Sequence, residues 1–273
     1  MITLLTDFGD LDVYVGVLKG VIAQINPAAA VVDLTHKILP QNIGQGSFQL
    51  GNAYAHFPSG TVHLAVVDPG VGGQRRAIAL QTASAFFVGP DNGLFSAVLN
   101  QNTEDQSETS PLAREPCPSL AAVELSNPQY WYTPKTSSTF HGRDIFAAAA
   151  AHLTLGCPLD CLGQRIKAES LVRLPQSRYR LTPERAFGAI QAIDHFGNLI
   201  TNIPAVCLGD RPWHLEAATQ LIASAGSYSA SNPDRLLALV GSHGWLEIAL
   251  QNGNAQQRLQ LTVGSPVQLI FLA

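Results

Sequence analysis

Apolar positions in the first part of the chain recur at two alternating spacings. Ile2–Leu5, Ala30–Leu34 and Val62–Val67 are short apolar runs of strand length, and between them Tyr14–Ile25 and Ile43–His56 carry apolar residues at helical spacing. This alternation predicts βαβ units, and so a parallel sheet with helices on its faces. The first helix is expected to stop at Asn26-Pro27, because proline has no N–H for the helical ladder and pushes its predecessor out of the helical region. Ala77–Thr82 and Phe86–Val88 read as a strand pair, Leu94–Leu99 as a short helix, Ala121–Leu125 as a strand and Arg143–Leu153 as an alanine-rich helix. Beyond Leu174 the texture changes to short strand candidates, Phe187–Ile193, Leu236–Val240, Leu246–Leu250 and Val267–Phe271, set among Gly, Ser and Asn with no helix of comparable strength. The expected architecture is an α/β, three-layer amino-terminal domain with a mainly parallel sheet (1–174) followed by an all-β carboxy-terminal domain (175–273), with Pro175–Glu184 as the linker. The polar stretch Gln101–Ser119 reads as a surface loop or lid.

Composition narrows the partners. A chain of 273 residues suits two domains at about 150 residues each. With 46% hydrophobic and 13% charged residues it can bury large cores. Sixteen Lys+Arg against twenty Asp+Glu give a net charge of −4, without the basic excess that binding to a phosphate backbone requires, so no nucleic-acid partner is expected. The start Met1–Asp7 has no basic leader region, and no apolar run reaches the roughly 18–20 residues of a membrane span, so a soluble cytoplasmic protein without a membrane partner is expected. Cys117, Cys157, Cys161 and Cys207 are too few and scattered for a disulfide framework. Pro158 lies between Cys157 and Cys161 and no second pair stands at zinc-ligand spacing, so reduced thiols and no metal site are expected there.

Ligands of open parallel sheets bind beyond the carboxyl ends of the strands, which directs attention to Thr6-Asp7-Phe8-Gly9-Asp10-Leu11-Asp12 after the first strand. A dinucleotide fold would carry G-x-G-x-x-G here; carboxylates would repel a pyrophosphate. Asp7 suits instead a neutral diol, accepting from two adjacent hydroxyls, or an ammonium or sulfonium cation; the bland alternative is that it caps the following turn, as Asp10 is read to do. Three further stretches put polar side chains and glycines at sheet ends: Val67–Arg76, Gly89–Gly93 and Thr139–Asp144. Among them Asp68, Arg75 and His141 supply an acid, a fixed cation and an imidazole, the parts needed to hold and deprotonate a small nucleophile.

T-D-F-G-x-x-D-x-Y-V-G with K-G (Thr6 to Gly20), V-D-P-G-V-G (Val67 to Gly72), G-P-D-N-G (Gly89 to Gly93), T-F-H-G-R-D (Thr139 to Asp144), D-x-F-G-N with T-N (Asp194 to Asn202) and G-S-x-G-x-L-E-I-A (Gly241 to Ala249) occur in this order over nearly the whole chain. In them the sequence resembles the S-adenosyl-L-methionine (SAM) hydroxide adenosyltransferases, relatives of the fluorinase and chlorinase that attack SAM at ribose C5′. The resemblance implies an amino-terminal α/β domain, a carboxy-terminal β-barrel domain, and a homotrimer whose sites draw on the first domain of one subunit and the second of its neighbour. It implies that Asp7 holds the ribose hydroxyls, Asp12 and Asp194 the methionine ammonium, Ser242 and His243 the methionine carboxylate, and Asn198 the adenine edge, while Asp68, Arg75 and His141 bind and activate water. SAM is the implied substrate, with no cofactor and no metal. The halogenases carry arginine where this chain has His243, and relatives often carry asparagine at Gln251, which implies a weaker or pH-dependent carboxylate clamp. His243 could instead be a solvent-facing turn residue, and His195 is read without a role.

The chemistry so implied is attack of activated water at C5′, releasing adenosine and L-methionine. Either Asp68 or His141 could take the proton. Three other readings compete: a halogenase, disfavoured because Asp68 would repel halide; a metal-dependent phosphoester hydrolase built on Asp7, Asp10, Asp12, Asp68 and His141; and a SAM or adenosine sensor that leaves its ligand intact.

Overall fold

The computed structural model describes residues 1–104, 120–175, 177–230 and 234–272. Cys117 and most of the expected surface loop Gln101–Ser119 lie outside them. Two compact units divide the chain, Met1–Leu174 and Pro175–Ala273.

The first unit follows the alternating pattern closely: β1 (Ile2–Thr6), α1 (Tyr14–Ile25), β2 (Val31–Thr35), α2 (Ile43–Ala53), β3 (Thr61–Val66), β4 (Ala77–Gln81), β5 (Ala85–Pro90), α3 (Ser96–Glu104), β6 (Ala121–Glu124), α4 (Ala147–Thr154) and β7 (Gln164–Arg165). The sheet runs β2-β1-β3-β5-β4-β6-β7. Its first four strands are parallel, and β4, β6 and β7 join antiparallel at the far edge. Because side chains alternate across a strand, β3 sends Val62, Leu64 and Val66 to one face and Ala65 to the other. The first face packs with Leu18, Ile22 and the alanines of α4. The second packs with Leu50, Leu94 and Val98 from the α2 and α3 side. These are the three layers expected from the sequence. Asn42 caps α2, its side-chain oxygen accepting from the Gln45 N–H at 3.0 Å, and α1 ends at Asn26 as the following proline requires.

The alanine-rich helix departs from expectation in one respect. Its first turn, Gly142–Phe146, is π-helical, and regular α-helix begins only at Ala147. Such turns insert an extra residue and are frequent at functional sites. This one begins directly after His141.

The second unit contains β8 (Arg180–Leu181), β9 (Arg185–Ile193), β10 (Leu199–Pro204), β11 (Trp213–Ala217), β12 (Gln220–Ala223), β13 (Leu236–Val240), β14 (Trp245–Leu250), α5 (Ala255–Leu259) and β15 (Pro266–Phe271). Its strands pair antiparallel in the order β12-β11-β15-β9-β10-β14-β13, and a bridge between Ser224 and Ala238 brings the two ends together into a nearly closed barrel. The expected all-β character therefore holds apart from the short helix α5. The segment Pro175–Glu184 is not purely a linker, since β8 pairs with β9.

Candidate active site

Asp7 and Asp68 follow the neighbouring parallel strands β1 and β3 at their carboxyl ends, so strand register alone places both on one rim of the sheet. Asp68 opens a loop that ends at Arg75 and closes on itself. The Arg75 guanidinium donates through Nε to both Asp68 oxygens at 3.0 Å and through Nη2 to Oδ2 at 2.6 Å. Both side chains are largely buried, 10% and 5% exposed, so this is a shielded, forked charge pair. Gly72, at φ +75, lets the loop lie against the segment before His141, because a Cβ there would stand 2.0 Å from the Ser138 carbonyl oxygen. Arg75 also stacks on Phe146, within the π-helical turn.

The third member arrives from this segment. Arg75 Nη2 lies 2.8 Å from His141 Nδ1. A guanidinium has only donors, so Nδ1 accepts, and the neutral ring carries its proton on Nε2. Burial, and then the Arg75 charge, push the His141 pKa below its ordinary value, against the opposing pull of Asp68 and Asp144. The ring is therefore neutral over a wider pH range than a free histidine.

Asp68 and His141 line a cleft of about 520 Å³ together with Asp7, Phe8, Tyr14, Gln41, Phe140 and Arg143, and Arg75 bonds both of them. The rings of Phe8, Tyr14 and Phe140 meet edge to face at 5.2–6.1 Å. Asp7 does not cap its own turn. One oxygen accepts from the Gln41 N–H at 2.8 Å, and no other partner holds the carboxylate among the described residues. Its turn is secured by His36, which bonds the Thr6 hydroxyl at 2.8 Å and accepts from the Gly9 N–H through its carbonyl. Asp10 is likewise no cap; it pairs with Lys37 at 3.0 Å. Asp12 is exposed and is not part of the cleft lining.

The second unit gathers the remaining sequence candidates at its turns. Asp194 accepts from the N–H groups of Phe196 and Asn198 and from the Asn198 side-chain amide, at 2.8–2.9 Å. Asn198 is thus tied to Asp194, and Gly197, at φ +82, leaves room for Asn254, which a Cβ would meet at 2.2 Å. Ser242 is exposed on the turn between β13 and β14. His243 is not solvent-facing. It donates through Nε2 to the buried Glu247 at 3.0 Å and accepts at Nδ1 from the Trp245 N–H. Tyr228 donates to the other Glu247 oxygen. Burial, then this bond to Glu247, push the Tyr228 hydroxyl pKa up, with a smaller contribution from Asp194.

Sequence reasoning assigned nothing to Glu247, Tyr228, Gln41 or His36. Glu247 lies inside the G-S-x-G-x-L-E-I-A run, and His36 ends an Asp33-Leu34-Thr35-His36 run at the tip of β2, so both carried a signal. Gln41 acts through its backbone N–H, and Tyr228 through an approach made only on folding. Among the described residues no cluster of three or more His, Cys, Asp or Glu is arranged to hold a metal ion, and Cys157, Cys161 and Cys207 are unpaired thiols.

An acid, a cation and an imidazole converging at the sheet rim of a three-layer unit, in a chain that continues into a barrel-like β unit, define an α/β enzyme. Comparison with known proteins specifies it. Residues 2–163 match the SAM hydroxide adenosyltransferase N-terminal domain and residues 188–268 the corresponding C-terminal domain, and the chain belongs to this family. It is 36% identical over 269 residues to the (R)-S-adenosyl-L-methionine hydrolase of Salinispora arenicola, covering 98% of this chain and 97% of that protein. It is 38% identical over 266 residues to the enzyme of the same name from Thermus thermophilus, covering 97% and 98%. The crystal structure of an uncharacterized conserved protein from Thermotoga maritima superposes with a TM-score of 0.88 at 35% identity, over 99% of this chain and 100% of that one.

Proposed function

We propose that the chain hydrolyses SAM to adenosine and L-methionine by attack of water at ribose C5′, with Asp68, Arg75 and His141 acting on the water. The observation that carries this reading is that Asp68 and His141, joined through Arg75, line one cleft with Asp7. A bond forms from the water oxygen to C5′ as the C5′–S bond breaks. The bonding pair returns to sulfur, which leaves as a neutral thioether, so the leaving group requires no metal. The water proton passes to Asp68, whose oxygens keep lone pairs beyond those used by Arg75, and from there to solvent. His141 Nε2–H donates to the water oxygen and so orients it; a ring whose Nδ1 is held by a guanidinium has no other basic nitrogen to offer. Asp7 accepts from the ribose hydroxyls, and no cofactor takes part.

In the same reading Asp12 and Asp194 take the methionine ammonium, Ser242 the methionine carboxylate and Asn198 the adenine edge. His243 takes part in carboxylate binding through its charge and its hold on the turn, since Glu247 and Trp245 occupy its ring nitrogens. The first unit is the catalytic domain, residues 1–174, and the second a β-barrel domain, residues 175–273. The chain works as a homotrimer in the cytoplasm. Leu11 and Val13, at 101% and 75% exposure beside Asp12, support an interface there.

The decisive experiment incubates the protein with SAM in ¹⁸O-water, with and without chelator. Adenosine labelled in its 5′-hydroxyl, formed equally with chelator, is the expected result. Chelator-sensitive turnover would favour the metal hydrolase, and tight binding of intact SAM the sensor. Light scattering should give a trimer; an active monomer would overturn that part of the reading.

A further inference from the structure

The run Gly89-Pro90-Asp91-Asn92-Gly93 is as conspicuous in the sequence as the runs that supply the cluster, yet neither Asp91 nor Asn92 lines the cleft. The two side chains grip the chain on either side of the loop that carries Asp68 and Arg75. Asn92 donates through its amide to the carbonyl of Val67, immediately before Asp68, at 2.9 Å. Its own amide oxygen accepts from the Leu94 N–H, which fixes the orientation of the group. Asp91 holds Arg76, immediately after Arg75, in two ways. Its N–H donates to the Arg76 carbonyl at 3.0 Å, and its Oδ2 accepts from Arg76 Nε and Nη2 at 2.9 and 2.5 Å.

The far side of this grip is anchored as well. Asp91 Oδ1 accepts from the Val172 N–H at 2.9 Å, and the Arg76 guanidinium reaches the Ser170 hydroxyl and carbonyl at 3.0 and 2.6 Å. The Asp91 carboxylate is 4% exposed, so its bonds are shielded from competing water. One turn therefore clamps both ends of the 68–75 loop to the strand end of β5.

We propose that Asp91 and Asn92, with Arg76, are positioning residues that hold Asp68 and Arg75 in register with His141. This rests on the hydrolytic reading of the same cleft. The physical need is plain: the forked Asp68–Arg75 pair and the Arg75–His141 bond depend on where the ends of one surface loop lie, and a displacement of about 1 Å in reacting groups can cost on the order of 10²-fold in rate. Within the loop the Asp68–Arg75 pair ties the two ends to each other, and the Asp91-Asn92 turn ties them to the sheet.

The test uses Asn92→Ala and Arg76→Lys in the full-length protein. Both leave the buried Asp91 charge accompanied, so folding is preserved where Asp91→Asn could lose it. Asn127→Ala serves as control, because it removes an equivalent turn bond, Asn127 Nδ2 to the Cys161 carbonyl at 2.8 Å, away from the cleft. Three quantities are measured: the single-turnover rate, the SAM dissociation constant, and the titration of the His141 imidazole by NMR without substrate. The expected result is a rate lowered about 10-fold or more in Asn92→Ala and Arg76→Lys, with SAM affinity within threefold. The His141 titration moves up towards that of a free histidine as Arg75 leaves its place, and Asn127→Ala shifts neither rate nor titration. Wild-type rate and wild-type titration in folded Asn92→Ala and Arg76→Lys would overturn the proposal, as would equal losses in the Asn127→Ala control. If the wild type fails to hydrolyse SAM, the hydrolytic reading falls, while the His141 titration still decides whether the turn positions the cluster.

Discussion

His141 in the first unit and His243 in the second each have a ring nitrogen within hydrogen-bond reach of a charged side chain, and the two charges are opposite. Arg75 stands 2.8 Å from His141 Nδ1, and Glu247 stands 3.0 Å from His243 Nε2. Beside a guanidinium the ring must accept; beside a carboxylate it donates. Both rings therefore carry hydrogen on Nε2, with different consequences. His141 lines a cleft. In His243 the Nε2–H is consumed by a buried carboxylate, while the Trp245 N–H occupies Nδ1. One histidine is tied to a guanidinium at the wall of a cleft, and the other holds its own turn together. Residue type and flanking glycines do not distinguish these cases; the charge of the neighbour does.

The contrast is broken most directly at the chemical step. Asp68→Ala and His141→Ala should each lower single-turnover hydrolysis of SAM by ~10²-fold or more, leaving the SAM dissociation constant within a few-fold. His243→Ala should weaken SAM binding while single turnover at saturation stays near wild type. Equal loss of the chemical step in His243→Ala and His141→Ala would remove the distinction. Because burial and Arg75 hold the His141 pKa low, the acid limb of the wild-type rate profile should fall below the ordinary histidine value of about 6.5.

A third histidine sharpens what a missing partner does. His63 is fully buried in β3, bonded through Nδ1 to Thr3 at 2.7 Å and stacked on Phe87, while its Nε2 has no partner among the described residues. Burial lowers its pKa to about 4. A native pKa below the unfolded one means that the unfolded chain takes up the proton first. The stability this group contributes is whole above about pH 6.5 and is lost as pH falls towards 4, by about 3 kcal/mol. Urea unfolding at pH 7 and pH 4 should show this loss on top of that from carboxylates, and His63→Leu should shrink the difference by that amount. An unchanged difference would mean that His63 titrates normally.

Asp7→Ala should weaken SAM binding by ~1–3 kcal/mol, because two ribose hydroxyls would be left without an acceptor; calorimetric titration reads this directly, and wild-type affinity would remove Asp7 from the site. The smallest change is expected at Tyr228→Phe, which takes one hydrogen bond from buried Glu247. It should lower unfolding free energy by about 1–2 kcal/mol without changing turnover at saturating SAM. A loss of turnover there would make the second unit's network part of the chemistry.

The sequence by itself determined the layered first unit. The patterns of α1 and α2 follow from burial on one face and the continuous apolar runs of β1 and β3 from burial on both, and burial constrains residue type at each position. Proline after Asn26 and glycine at the tight turns act through backbone geometry, which is local. It also determined which residue types stand at the sheet rim, since strand ends are visible as the ends of apolar runs. It was silent on β10 and β11 in the second unit. Leu199–Pro204 includes Thr201 and Asn202, both buried, and Asn202 is accommodated because it accepts from the Ala189 N–H and donates to the Ser177 carbonyl. Such partners exist only in the folded chain. The same limit governs the site. Arg75 and His141 are separated by 66 positions in sequence, and whether a histidine meets a guanidinium or a carboxylate is an electrostatic fact of a few ångströms. Tertiary structure alone decided the His141 tautomer, the engagement of His243 with Glu247 and the clamp of Asp91 and Asn92 on both ends of one loop, because each is a directional contact between groups that local sequence places independently.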